Sequence, residues 1–276
     1  MGTQPVDRPL NLTAQDFFTY GSWALTIALL IVAYVMCRRE RTPFYLLVVL
    51  ASMVAAFAEP IYDELMVLYF YTAHDGANAL HTHFTAFDVP QPVWTHSGYA
   101  ILYGGPAVYI TYRIRHGGLT RRALYLIAAS SFLESCAFEM IGINAGAYTY
   151  WGPHVLRVLD YPLAIGLNEM AQVTCFAIAA AQLRERVANP WQLGALFLIF
   201  PCTFALANYG AGAAMIVGLH AENTNELIRY ATTLVTIGCA LGLVRLAAAF
   251  LPASSPTPAR DPEPRRTTSP QPVAAD

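Results

Sequence analysis

Long apolar stretches separated by short polar segments recur along the chain. Seven can cross a bilayer, at about 17–37, 43–70, 94–114, 121–143, 161–183, 190–218 and 226–251. A spanning helix needs about 20 residues. The second and sixth stretches are longer, and Pro60 and Pro201 inside them predict kinks or breaks. The expected fold is all-α: a polytopic membrane bundle of seven transmembrane helices over 1–251. From 252 the chain is rich in Pro, Ser and Thr and has no apolar period, so 252–276 is expected to be a disordered tail. The first stretch does not read as a typical cleaved signal peptide: it lacks a basic n-region and an A-x-A-like site, and its apolar run is too long.

Arginine positions give a direction. Arg38, Arg39 and Arg41 follow the first stretch, Arg113, Arg115, Arg121 and Arg122 lie between the third and fourth, and Arg184 and Arg186 follow the fifth. The alternate loops carry only Arg157 and Arg229. The positive-inside rule then places the N-terminus outside and the tail in the cytoplasm.

Composition narrows the function. Hydrophobic residues make up 56% and charged residues 12%, too few charges for a soluble surface. With a net charge of -2, nucleic-acid binding is not expected. All 16 basic residues are Arg. Without Lys there is no retinal Schiff base, no P-loop ATPase and no Lys-dependent PLP chemistry. Arg without Lys also hints at a GC-rich genome, and a bacterial cell membrane is the expected location. The five Cys form no CxxC pair and read as small buried apolar residues.

Ionisable groups inside spanning helices are costly and are candidates for function. They are Glu59, Asp63 and Glu64 in the second stretch, His96 in the third, Glu134 and Glu139 in the fourth, and Glu169 in the fifth, with Asn168 and Asn208 as neutral companions. Counted along the helices, Glu59 lies about 24 Å and Glu139 about 27 Å above the Arg-rich side, and Glu169 about 12 Å below the other face. These groups therefore converge on the outer half. Asp63 and Glu64 also fit the start of an outer loop. Glu134 is deeper and on another helix face from Glu139. A carboxyl in an apolar cavity without a cationic partner keeps its proton and can donate it.

Tyr62, Tyr69, Tyr71, Trp94, Tyr99, Tyr103, Tyr148, Tyr150, Trp151 and Tyr209 map to the same half. An interfacial aromatic belt explains them. A cavity wall explains them too, and aromatic faces stabilise a carbocation. His96, Tyr99 and Tyr103 share one helix face. Metal chemistry has weak support, since His81-Thr82-His83 falls in a loop and His96 stands alone. GxSxG, DDxxD and DxDD are absent.

The segment Glu139-Met-Ile-Gly142-Ile-Asn-Ala-Gly146-Ala-Tyr148-Thr-Tyr150, followed by Tyr161-Pro162-Leu163, resembles the ExxGxxxGxYxY...P pattern of integral-membrane carotenoid biosynthesis hydratases. Asn168-Glu169 stands where that pattern carries Trp. The resemblance covers about 130–183. It implies a multi-helix membrane enzyme that adds water to a terminal double bond of an acyclic carotenoid, with Glu139 as the carried-over acid. A looser similarity in size and span count links the chain to small seven-helix membrane terpene cyclases, with Glu59 as the analogous acid.

The expected function is therefore protonation of an isoprenoid alkene or epoxide, giving cyclisation, hydration or isomerisation. Glu139 and Glu169 are the candidate general acid and base, with Glu59 as partner. His96, Asn168 and Asn208 would orient them or hold a water, and Tyr99, Tyr103 and Tyr148 would line the substrate cavity. No cofactor or metal is called for, and an apolar substrate would enter from membrane lipid. The competing reading is a proton-coupled transporter or a seven-helix receptor-like protein without enzymatic activity.

Overall fold

The computed structural model describes residue 5, residues 8–71 and residues 82–251. His81 and the 252–276 tail lie outside the described residues.

The first helical rod runs as α1 (Leu12–Asp16), a π-turn (Phe17–Gly21) and α2 (Ser22–Glu40). Asn11 opens it by accepting from the Ala14 amide, and Arg41 closes it in the left-handed conformation. The second comprises α3 (Phe44–Ala55), a 3₁₀ turn (Ala56–Ala58) and α4 (Glu59–Met66). Its break lies just before Pro60, which then occupies the first turn of α4. A third runs as α5 (Trp94–Tyr99), a π-turn (Ala100–Gly104) and α6 (Gly105–Arg115). Next come α7 (Arg121–Asn144), capped by Thr120, and α8 (Leu163–Arg186).

The last two rods differ in regularity. One joins a 3₁₀ turn (Pro190–Ala195), α9 (Leu196–Ala205), a π-turn (Leu206–Ala211) and α10 (Ala213–His220). Pro201 sits inside α9 without ending it, and the irregularity falls at the π-turn beyond. The other is α11 (Glu226–Ala249), capped by Asn225.

Among the described residues six helices are long and apolar enough to cross a membrane, which suits an integral membrane protein in contact with lipid. The rod over Trp94–Arg115 is continuous but is not one of the six. Its polar and small residues, among them Thr95, Ser97, Gly98 and Thr111, point inward and are buried. They lower its average hydropathy, and their inward placement keeps these groups inside the bundle.

Burial identifies the centre. The most apolar stretch of α8 is 78% buried, against 22% for the first rod. Ala164, Gly166, Ala171, Ala177 and Ala180 on α8 let its neighbours approach closely. Outward-facing Leu and Ile on α2, α7, α9 and α11 form the apolar exterior. Cys202 and Cys239 are exposed there too, contrary to a uniformly buried set.

Glu40 ties the Arg-rich end together. It pairs with Arg184, lies 3.3 Å from His116 and accepts from Tyr45 at 2.8 Å.

At the opposite end the chain is not purely helical. Strand β1 (Leu68–Phe70) pairs antiparallel with β4 (Tyr148–Tyr150), β2 (Thr82–Ala86) with β3 (Val89–Pro92), and β5 (Arg157–Val158) with β6 (Tyr161–Pro162). The all-α expectation thus needs these short ribbons added. They satisfy backbone groups where the chain leaves its helices.

Candidate acid site

Glu59 begins α4, Glu139 lies near the end of α7, and Glu169 is in the second turn of α8. Their relative exposures are 8%, 8% and 5%. All three line one narrow cavity, together with Tyr99, Tyr103 and Tyr148. The free space inside it is about 40 Å³.

The β1–β4 ribbon closes one side. Side chains alternate along a strand, so Leu68 and Phe70 from β1, and Tyr148 and Tyr150 from β4, all face the cavity. Trp94 packs 5.8 Å from Tyr148, and Phe70 lies 5.4 Å from it, measured between ring centroids. Tyr99 and Tyr103 meet edge to face at 4.9 Å. These rings are a buried wall rather than only an interfacial belt.

The three acids differ in their partners. Glu59 accepts a hydrogen bond from Tyr99. Glu169 accepts from Tyr103 and Tyr161, each at 3.2 Å, and from Ser135. Glu139 faces the hydroxyls of Tyr148 and Tyr150. Its Oε2 and the Tyr148 hydroxyl nevertheless hold no hydrogen bond among the described residues. Glu139 is therefore the least constrained of the three. Among the described residues no Arg lines the cavity.

The remaining candidates lie elsewhere. Asn168 and Asn208 are fully buried outside the cavity lining. Asn208 donates to the Phe204 carbonyl at 3.2 Å. Neither amide atom of Asn168 has a partner among the described residues, and a Cβ on Gly212 would sit 3.1 Å from its Nδ2.

His96 does not stand alone, because the β2–β3 ribbon brings His83 to it with 3.0 Å between their Nε2 atoms. Each Nδ1 donates to a carbonyl at 2.8 Å, Gln91 for His83 and Met53 for His96. Carbonyl oxygens only accept, so both Nδ1 atoms carry hydrogen in these contacts. Burial holds His83 below the ordinary histidine range, the Gln91 carbonyl opposes this, and His96 adds to it. Among the described residues no group of three or more His, Cys, Asp or Glu could hold a metal ion.

Ser135 was not singled out from the sequence, and Tyr62, Tyr161 and Asp63 were named there without the partners they have here. Ser135 and Tyr161 grip Glu169, and Tyr62 lies 3.4 Å from Tyr150 through their hydroxyls. Ser135 is one helical turn before Glu139, a spacing that could have signalled it. Asp63, readable as an outer-loop residue, is 1% exposed and accepts from Gln91 at 2.6 Å. The chain matches no protein-family model, no curated protein and no solved structure.

Proposed function

We propose that this chain is an integral-membrane enzyme that protonates an alkene or epoxide of an isoprenoid substrate. The observation that carries the reading is the convergence of Glu59, Glu139 and Glu169 on one tyrosine-walled cavity with no Arg among its described lining residues.

Glu139 is the general acid in this reading, because one of its oxygens has no donor on it and can turn toward substrate. Its proton adds to one carbon of the alkene, the π pair becomes the new C–H bond, and the other carbon is left cationic. With an epoxide, the proton goes to oxygen as the C–O bond breaks. The faces of Tyr99, Tyr103 and Tyr148 stabilise that cation.

Glu169, held by three hydroxyl donors, takes the second proton. It comes from carbon in cyclisation or isomerisation, and from an added water in hydration. Glu59, fixed by Tyr99, supports the charge balance.

The test is expression in a host supplying farnesyl, geranylgeranyl and carotenoid precursors, with mass analysis of the lipid extract. A product isobaric with its precursor identifies cyclisation or isomerisation, and one heavier by a water identifies hydration. Glu139→Gln is expected to abolish the product while the protein still folds and inserts. Unchanged product from that variant overturns the assignment. A proton flux across vesicles with no product in any background favours the transporter instead.

A further inference from the structure

The acid cavity leaves a question of size. Its free space of about 40 Å³ is far below the roughly 300–1,000 Å³ of small-molecule sites. It can take the reacting end of a chain but not a whole isoprenoid.

A second space of about 590 Å³ lies on the flank of the bundle between α2, the α5–α6 rod and α7. Ile101, Gly105 and Tyr109 line it from one side, four residues apart, and Leu126, Ser131 and Glu134 from the other. On the α5–α6 rod the cavity lining runs from Trp94 to Tyr103 and overlaps the groove at Ile101, and on α7 it begins at Phe138, one turn beyond Glu134. Groove and cavity thus adjoin on neighbouring stretches of the same two rods. Partly buried Leu102 and Phe138 stand between them, with Phe138 packed on Phe18 at 5.3 Å.

From this continuity we infer that the groove is the binding site for the tail of the isoprenoid substrate, whose reacting end passes between Leu102 and Phe138 to the acids. The inference rests on the proposed function. A saturated acyl chain offers no group for the acids at the inner end to protonate, whereas an isoprenoid ends in an alkene or epoxide. Glu134 and Ser131 give the groove polar contacts inside an apolar wall, where an ionisable group calls for a function.

Gly105 sets the room. A Cβ there would meet only Leu29 Cδ2, at 3.8 Å, and the Ala100 carbonyl, at 4.0 Å. A longer side chain would project into the groove without displacing backbone. Gly105→Leu therefore acts as a chain-length limit.

The experiment has two readouts. The first uses a diazirine-bearing geranylgeraniol and a diazirine-bearing stearate, at equal concentration in phosphatidylcholine vesicles, with labelled peptides mapped by mass spectrometry. The prenyl probe is expected to label the 101–109 and 126–134 segments at least fivefold more than the acyl probe. Gly105→Leu is expected to remove most of that excess. Equal labelling by both probes, or no labelling of these segments, overturns the inference.

The second readout is product chain length, where Gly105→Leu should lower turnover of a twenty-carbon substrate about tenfold more than that of a ten-carbon one. An unchanged ratio also overturns the inference. Labelling needs no turnover, so prenyl-selective labelling without product in any host sinks the enzyme reading and leaves the groove as an isoprenoid site. Product formation with labelling elsewhere sinks the groove and leaves the enzyme.

Discussion

Gly142 sets how closely Tyr148 can approach Glu139. It lies in the last turns of α7, and a Cβ there would come within 2.6 Å of Tyr148 Cζ. Gly146 has a separate role: its φ of +76° lets the chain leave the helix and enter β4. Gly142→Ala must push the Tyr148 ring out of the cavity wall. Overpacking of this kind costs about 1–3 kcal/mol, and misplacing a positioned group by 1 Å can cost about 100-fold in rate. A lowered melting temperature with turnover reduced by about that factor is expected. Retention of both would remove Tyr148 from the site.

At this scale the acids were legible, because a carboxyl inside an apolar run is conspicuous whatever surrounds it. Ser135 and Tyr161 were not, since a hydroxyl on an apolar helix or at a strand end is ordinary until its partner is known. Asp63 read as a loop residue because the helical end of its rod could not be fixed to within one turn.

The C-terminal end of α4 shows how elements hold the site together. A helix leaves its last carbonyls without partners. His220 on α10 donates to the Leu65 carbonyl at 3.0 Å, and His154, in the segment after β4, donates to the Met66 carbonyl at 2.8 Å. The same segment is pinned by Arg157, which bonds the carbonyls of Gly152 and His154. Burial pushes the His154 imidazole down to about 3, with Arg157 and His220 adding to it and the Met66 carbonyl opposing.

The folded state therefore keeps His154 neutral where the unfolded chain would protonate it. Its contribution is fully present above the unfolded value near 6.5 and is lost as pH falls toward about 3. Acidification from about pH 7 to about pH 4.5 should lower the melting temperature, and His154→Gln should make that drop smaller. An identical drop in the variant would place the acid sensitivity elsewhere. None of this was readable from the sequence. Strands of two or three residues carry no periodic signal, and the alternation in Leu68-Tyr-Phe70 and Tyr148-Thr-Tyr150 gains meaning only once they pair.

At the scale of the whole molecule, the disposition of the α5–α6 rod decides which face opens toward the acids. Among the described residues six rods satisfy length and apolarity, and this one does not. At 1.5 Å per residue it is still about 33 Å long, enough for a hydrocarbon core of about 30 Å. Its deficit comes from inward-facing Thr95, Ser97 and Thr111, from His96 and from the tyrosines, of which Tyr99 and Tyr103 are buried in the site while Tyr109 and Tyr112 are exposed. Averaged hydropathy ignores direction, so a span that carries the site's polar wall scores poorly for the reason that makes it useful.

If the rod crosses, the β2–β3 turn and the segment before α7 lie on opposite sides of the membrane. The arginine distribution then puts the turn outside. Single cysteines at Asp88, Arg122 and Glu222, in a chain whose five native cysteines are replaced, test this with an impermeant maleimide on intact cells. Asp88→Cys and Glu222→Cys should react directly, and Arg122→Cys only after permeabilisation. Equal reactivity of Asp88→Cys and Arg122→Cys would give that rod no crossing and reduce the bundle to six spans. The opposite pattern would reverse the orientation and turn the acid end toward the cytoplasm.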